Sequence, residues 1–357
     1  MTARLAKLRD LLSQDGAPAL LITNLENVRY LSGFTGSAGA VLVTSERALF
    51  FADPRYHDQA RQQCPDLEII CYEGSVDRLE AIAQQLAAHQ VKALRFEAAH
   101  LSYSEAEKTR KTLAGVELEP SEDLVERLRQ VKDADEVEAI RRAVTLVDRA
   151  YSHILTKLAP KMSERDVALE LDFFMRRNGA DKEGFDTIAA SGPNSAYPHH
   201  HPGSRLLQRG DLVKMDFGAY MGGYNSDITR TVCLGPATEK QRQVYSVVLG
   251  AQLAALAAIR PGVPGRDVDR VARNYIAAHG YGDYFGHGLG HSLGREVHDG
   301  PGLSQRSTIT LSPGMVVTVE PGIYIEDWGG VRIEDDVLVT EDGAEVLTQS
   351  TKELIEI

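Results

Sequence analysis

Apolar positions recur along the chain with two periods, and the change from one regime to the other divides it. From residue 1 to about 125, short apolar runs (Ala19 to Thr23, Ala40 to Thr44, Ala48 to Ala52, Glu68 to Tyr72) alternate with helical stretches such as Ser75 to His89. That alternation is the pattern of a small α/β domain. The polar stretch Glu119-Pro120-Ser121-Glu122-Asp123 marks a boundary, and a long helix rich in charge pairs follows over Lys132 to Lys157. Beyond it, Ser163 with Asp166 makes a capping signature and Asn178-Gly179 a stop, while Thr238 with Gln241 caps a helix that ends at Pro261-Gly262. Strand candidates lie between and after these helices. Residues 126–357 therefore read as a second, α+β domain, with helices on one face of a curved antiparallel sheet.

One hairpin raises a question. Leu212 to Phe217 and Ile228 to Leu234 both alternate, and Gly222 and Gly223 punctuate the chain between them. A two-residue loop at Met221-Gly222 pairs Tyr220 with Gly223 and sets Asp216 directly opposite Asp227 on one face. At that position the Cβ atoms are roughly 4.5 to 5.5 Å apart and like charges destabilise the pair. Either both aspartates point into water, or a cation lies between them.

Composition narrows the setting. The chain has 357 residues, 43% hydrophobic and 25% charged, as expected of a folded globular protein of two domains. No run approaches the length of a membrane span, and the segment MTARLAKLRDLLSQDG alternates charge with Leu, so neither membrane insertion nor export is expected. Cys64, Cys71 and Cys233 are odd in number and lack metal-ligand spacing, which points to free thiols and a cytoplasmic location. A net charge of -12 without a basic stripe argues against nucleic acid as partner.

Three further clusters lie in the second region. In FGHGLGHSLGREVHDG, residues 285–300, His287, His291 and His298 share a stretch whose glycines rule out a regular helix and let the backbone approach an ion or substrate. In VVTVEPGIYI, Glu320 ends an apolar strand before Pro321; in GGVRIEDDVLV, Arg332 and Glu334 alternate with Val331, Ile333 and Val337. Buried carboxylates are costly unless paired or coordinated. Together Asp216, Asp227, His291, Glu320 and Glu334 offer four carboxylates and one imidazole, a ligand set for two divalent ions. Hard oxygen donors with one nitrogen suit Mn²⁺ or Co²⁺, and Zn²⁺ less specifically, and two such ions serve hydrolysis.

Taken in order, NVRYLSGFTGSAG, SGPNSAYPHHHPGS, MDFGAY, NSDITRT, HGLGHSLGREVHD, VEPGIYI and GGVRIEDDV resemble the pita-bread metallopeptidases, within them the Xaa-Pro peptidases comprising aminopeptidase P and prolidase. The resemblance covers nearly the whole chain. It implies a creatinase-like α/β N-terminal domain (1–125) and a pita-bread dimetal peptidase domain (126–357). It implies two divalent metal ions, Mn²⁺ first, on Asp216, Asp227, His291, Glu320 and Glu334, with Asp227 and Glu334 reaching both. It also implies attack of a bridging hydroxide on the carbonyl before proline, with Glu320 as proton shuttle, His199 and His298 placing the substrate, and His287 and Arg332 lining the site. His199 is chosen because it follows Pro198; the family commonly has a small residue soon after that pair, where this chain reads His199-His200-His201-Pro202, and His200 and His201 read as surface loop. The resemblance further implies a homodimer, since relatives of this layout pair through the N-terminal domain. GFTGSAG and FFADPRYHDQA are more similar to aminopeptidases P than to prolidases, although Pro54 stands where those enzymes usually have glycine. The expected activity is release of the residue before proline from longer peptides, with Xaa-Pro dipeptide cleavage second. Rival readings are a non-catalytic pita-bread module and a metal-free creatinase-type amidinohydrolase, neither of which should retain all five ligands. A third is methionine aminopeptidase, which usually lacks such an N-terminal domain.

Overall fold

The computed structural model describes residues 2–73 and 76–357. They form two compact units, Met1–Arg129 and Gln130–Ile357.

In the first unit six strands make one mixed sheet: β1 (Ala19–Ile22), β2 (Ala40–Thr44), β3 (Ala48–Ala52), β4 (Glu68–Cys71), β5 (Ala93–Glu97) and β6 (Glu117–Ser121). Their order is β4-β3-β2-β1-β5-β6. Ala19, Leu20, Leu21 and Ile22 of β1 are all buried, which matches a central strand covered on both faces. The helix expected from Ser75 runs Arg78–Ala88, held by a capping box between Asp77 and Glu80; Ser75 itself lies outside the described residues. The polar stretch read as a boundary is corrected in part, because Glu119, Pro120 and Ser121 belong to β6. Among the described residues β6 pairs only with β5, so its proline sits on a sheet edge, where a missing N–H costs little. The three cysteines are free thiols.

The second unit opens with helices Ala134–Leu155 and Glu164–Arg177, capped by Asp133 and Ser163. Strands β7 (Lys182–Glu183), β8 (Ile188–Ser191), β9 (Leu212–Phe217), β10 (Ala219–Met221), β11 (Tyr224–Asn225) and β12 (Ile228–Cys233) follow. After a second helix pair, Glu239–Ala258 and Gly265–Ala278, come β13 (Val316–Val319), β14 (Gly322–Ile325), β15 (Gly329–Arg332), β16 (Asp335–Val339) and β17 (Ala344–Val346). Each helix pair buries an apolar stripe on strands. Leu146, Ile154 and Leu171 of the first pair pack with Met215, Phe217 and Ile228; Val248, Val268 and Ile276 of the second pack with Val317, Val331 and Val337. The strands bury these apolar positions against helices, and their polar positions alternate to the other side.

The hairpin register differs from the expected one. Met221 pairs with Tyr224 and Asp216 with Thr229, so the loop is Gly222-Gly223. Both glycines have positive φ, 60° and 93°, the conformation a two-residue hairpin turn demands and one that Met221 could adopt only with strain. Asp227 is therefore diagonal to Asp216. Because side chains alternate with period two, a shift of two residues leaves both aspartates on the same face.

Candidate metal centre

β9 carries Asp216, and Asp227 stands one residue before β12; both side chains are almost wholly buried. The glycine-rich segment that holds His291 lies alongside β13. Thr318 N–H donates to His291 O at 2.8 Å, His291 N–H to Thr318 Oγ1 at 3.0 Å, and Glu320 N–H to Leu289 O at 2.8 Å. A Cβ on Gly290 would come within 2.0 Å of Thr318 O, so this approach requires glycine. Glu334 follows β15; its N–H donates to Thr229 O at 3.1 Å, and its Oε2 accepts from Thr229 Oγ1 at 2.6 Å.

These elements bring one ligand atom each from Asp227, His291 and Glu334 within 4.8 Å of one another. His291 Nε2 lies 3.4 Å from Asp227 Oδ2 and 3.7 Å from Glu320 Oε1. Asp216 lines the same cavity, but its Oδ2 takes a hydrogen bond from Arg332 Nη2. Arg332 is otherwise engaged with Thr229 Oγ1 at 3.0 Å and the Tyr324 hydroxyl at 2.8 Å. The cavity is about 570 Å³ and is also lined by His199, His287 and His298, with Phe185, Ile188 and Val297 among its apolar lining. His200 and His201 line it too; His201 is exposed in an irregular loop, as expected, whereas His200 is half-buried and tethered through Nε2 to Glu164 at 2.8 Å.

The electrostatics are those of crowded acids. Burial raises the Asp227 carboxyl well above its ordinary range, and Glu334, Asp216, Asp336 and Glu320 raise it further. Glu334 is raised for the same reasons, burial first and then Glu320 and Asp216. Burial pushes Glu320 up to about 8 against the opposing pull of Arg332. The imidazoles shift the other way: burial takes His291 down to about 4 and His287 down to about 3, with help from His298 and Arg332 respectively. A neutral His291 offers a lone pair instead of a competing charge.

The residues present fit divalent cations. Asp216 Oδ1 and Asp227 Oδ1 are buried with no hydrogen-bond partner among the described residues. Unsatisfied carboxylate oxygens beside other carboxylates are costly, and a metal ion both coordinates them and cancels their repulsion. Oxygen donors with one imidazole are the donor set that Mn²⁺, Co²⁺ and Zn²⁺ accept.

Several contributors escaped the sequence reading. Thr229 joins Arg332 to Glu334, Thr318 holds His291, and Asp336 Oδ2 accepts the Asp227 N–H at 2.9 Å. Tyr324 bonds both Arg332 and His287 Nε2. Tyr324, Thr229 and Asp336 all lie inside the quoted motifs, so proximity to the charged residues was the available signal; what no local feature marks is that Asp336 partners Asp227, a residue so distant in sequence.

Comparison with known proteins accords with this geometry. The model of metallopeptidase family M24 matches residues 138–341, and that of the creatinase/prolidase N-terminal domain matches residues 4–131. A solved Xaa-Pro dipeptidase from Bacillus anthracis is 43% identical, with a TM-score of 0.97 over 100% of this chain and 99% of that one. The Xaa-Pro dipeptidase of Pyrococcus furiosus is 38% identical over 99% of this chain and 100% of its own length. The X-Pro aminopeptidase from Thermotoga maritima is 37% identical, with a TM-score of 0.90 over 96% of this chain and 98% of that one. The fold is a creatinase-like N-terminal domain followed by a pita-bread catalytic domain, and the chain belongs to metallopeptidase family M24.

Proposed function

We propose that this chain hydrolyses the peptide bond between an amino-terminal residue and a following proline, with Xaa-Pro dipeptides as substrates. The observation that carries the reading is the convergence of Asp227, His291 and Glu334 at a cavity where Asp216 Oδ1 and Asp227 Oδ1 are left without hydrogen-bond partners. In this reading Asp216, Asp227, His291, Glu320 and Glu334 hold two divalent ions, Mn²⁺ by preference. When bound, such ions polarise a carbonyl and lower the pKa of water toward neutrality. The creatinase-like domain runs to Arg129 and the dimetal peptidase domain from Gln130, since the expected boundary at 125/126 falls inside the helix Leu124–Gln130, and the chain works as a cytoplasmic homodimer.

The side chains divide the work. Phe185, Ile188 and Val297 offer an apolar wall for the pyrrolidine ring. His199 and His298 orient the substrate and donate toward the oxygen that gains negative charge. Glu320 carries the proton at its carboxylate to the departing nitrogen. His287, neutral at physiological pH and bonded to the Tyr324 hydroxyl at 2.9 Å, works with Arg332 to fix the cavity wall.

Dipeptides come first because the relatives at 43% and 38% identity are named Xaa-Pro dipeptidases. The X-Pro aminopeptidase relative supports the second reading, action on longer peptides, which the sequence motifs put first. The deciding measurement is kcat/KM on an Xaa-Pro dipeptide and on the same sequence extended by one residue, in Mn²⁺. A tenfold preference for the dipeptide, about 1.4 kcal/mol in transition-state binding, supports the first reading, and the reverse preference the second. Cleavage of neither sinks both, and sedimentation as a single chain at micromolar concentration removes the dimer.

A further inference from the structure

The segment from Ser191 to Gly203 brings His199 to the cavity with no strand to hold it after β8 ends at Ser191. Two buried ionisable side chains, Glu164 and Lys214, secure it instead. Glu164, at the start of its helix, is wholly buried. Its Oε1 accepts from Ser191 N–H and Oγ, both at 2.8 Å, and from Asn194 Nδ2 at 3.0 Å. Its Oε2 takes His200 Nε2 at 2.8 Å and Gly203 N–H at 3.3 Å.

Lys214 meets the middle of the same segment. It sits within β9, two residues from Asp216, and is 0% exposed. Nζ donates to three main-chain carbonyls: Ser195 O at 3.2 Å, Tyr197 O at 2.7 Å and Pro198 O at 3.3 Å. An ammonium group has three N–H donors and no acceptor, so three carbonyls use all of them. A lysine buried in place of an apolar residue is expensive, and here it spans from the strand that carries Asp216 to the residue immediately before His199. Pro198 O also accepts from Arg332 Nη1 at 3.3 Å, which ties the same peptide to the residue bonded to Asp216.

We propose that Lys214 is a positioning residue for catalysis, fixing the main chain of Ser195–Pro198 and thereby the placement of His199 against the metal-bearing strand. The inference rests on the reading of His199 as a group that orients substrate. Substituting Lys214→Met keeps the length and removes every lysine donor, so Ser195 O and Tyr197 O lose this anchor and Pro198 O keeps only Arg332 Nη1, while the five ligand side chains stay intact. Outer partners of this kind typically carry 10- to 100-fold in activity.

The test is a double-mutant cycle in the Mn²⁺-loaded full chain, using an Xaa-Pro dipeptide. Lys214→Met is expected to lower kcat by about 10- to 100-fold, with KM within about threefold and two metal ions still bound per chain by elemental analysis. In a His199→Ala background the same substitution should change kcat less than about twofold, because residues acting as one unit are not additive. An unaltered kcat in Lys214→Met overturns the proposal, and so does a full additive loss on top of His199→Ala, which marks a merely structural role. If Lys214→Met does not fold, Lys214→Gln, which keeps two donors, takes its place in the cycle. If the wild-type chain cleaves no proline peptide, the functional reading fails separately. The proposal is then decided in Zn²⁺-loaded protein by histidine ring NMR: displacement of the His199 signal with that of His89, in the first unit, unmoved supports it, and no displacement overturns it.

Discussion

Glu97 in the first unit and Asp227 in the second are both buried carboxylates, 8% and 4% exposed, and they are treated in opposite ways. Around Glu97 the groups bonded to the carboxylate are donors: Thr23 N–H at 2.6 Å and Asn24 N–H at 2.7 Å on Oε2, and Asn27 Nδ2 at 2.7 Å on Oε1, while Glu126, which shares Asn27 Nδ2, adds a smaller raising influence. Burial raises its carboxyl, and those donors pull it back. Around Asp227 burial raises the carboxyl and all four neighbouring acids raise it again, while Oδ1 has no partner. The first arrangement fixes the start of the helix Leu25–Ser32 and needs nothing more. The second is incomplete without a cation. The lesson is that burial of an acid does not mark a site; the company it keeps does.

The largest expected effect breaks this comparison by metal removal. Exhaustive chelation should abolish peptidase activity and Mn²⁺ should restore it. At a hundredfold excess over its Kd the ion should add ~2.7 kcal/mol of stability, read as protection of amides in the second unit with those near Glu97 unchanged. Full activity in protein shown to be metal-free defeats the dimetal assignment. Next, Asp227→Asn should reduce turnover by at least about 100-fold, since ligand loss exceeds the usual effect of outer partners. The same variant should melt higher than wild type when both are metal-free, because one of the repelling charges is gone. A lower melting temperature there would show that the crowding is not repulsive.

Smaller effects sharpen the contrast. Glu97→Leu strands three N–H donors and should cost ~2 kcal/mol or more by urea unfolding, while kcat on an Xaa-Pro peptide stays within about twofold; a fall in kcat would give Glu97 a role in the site. The smallest effect concerns His287, whose value is depressed from 6.5 to about 3. Below pH 6.5 the unfolded chain takes up a proton that the folded chain refuses, so stability is complete above that pH and is lost as pH falls toward 3. Between pH 7 and 5.5 this amounts to ~1 kcal/mol. Melting curves of His287→Gln should lack that part of the slope; identical slopes would refute it.

Much was legible along the chain because it depends on near neighbours. Strand periodicity over Ala40–Thr44 and Ala48–Ala52 and the caps at Ser163 and Thr238 are effects of a few adjacent residues, and the structure has them where the pattern puts them. The presence of two aspartates on one hairpin face was equally legible, since period two survives a shift of two residues. The exact register was not. It was decided by which residues accept positive φ, and Gly222 and Gly223 take that role instead of Met221 and Gly222.

By itself the amino-acid sequence determined the chemical inventory: which carboxylates and imidazoles are available, and that the glycines around His291 permit a close backbone approach; that the approach is to β13 came from the structure. Tertiary structure alone decided how those groups are partnered. Thr229 meets Glu334, Asp336 takes the Asp227 N–H, and Lys214 reaches the carbonyls before His199. Partners such as Thr229 and Glu334, or Asp227 and Asp336, are more than a hundred positions apart, and no local periodicity encodes such pairings. They arise when two helix-backed sets of strands pack together and each buried polar group must find the donor or acceptor that the packing presents.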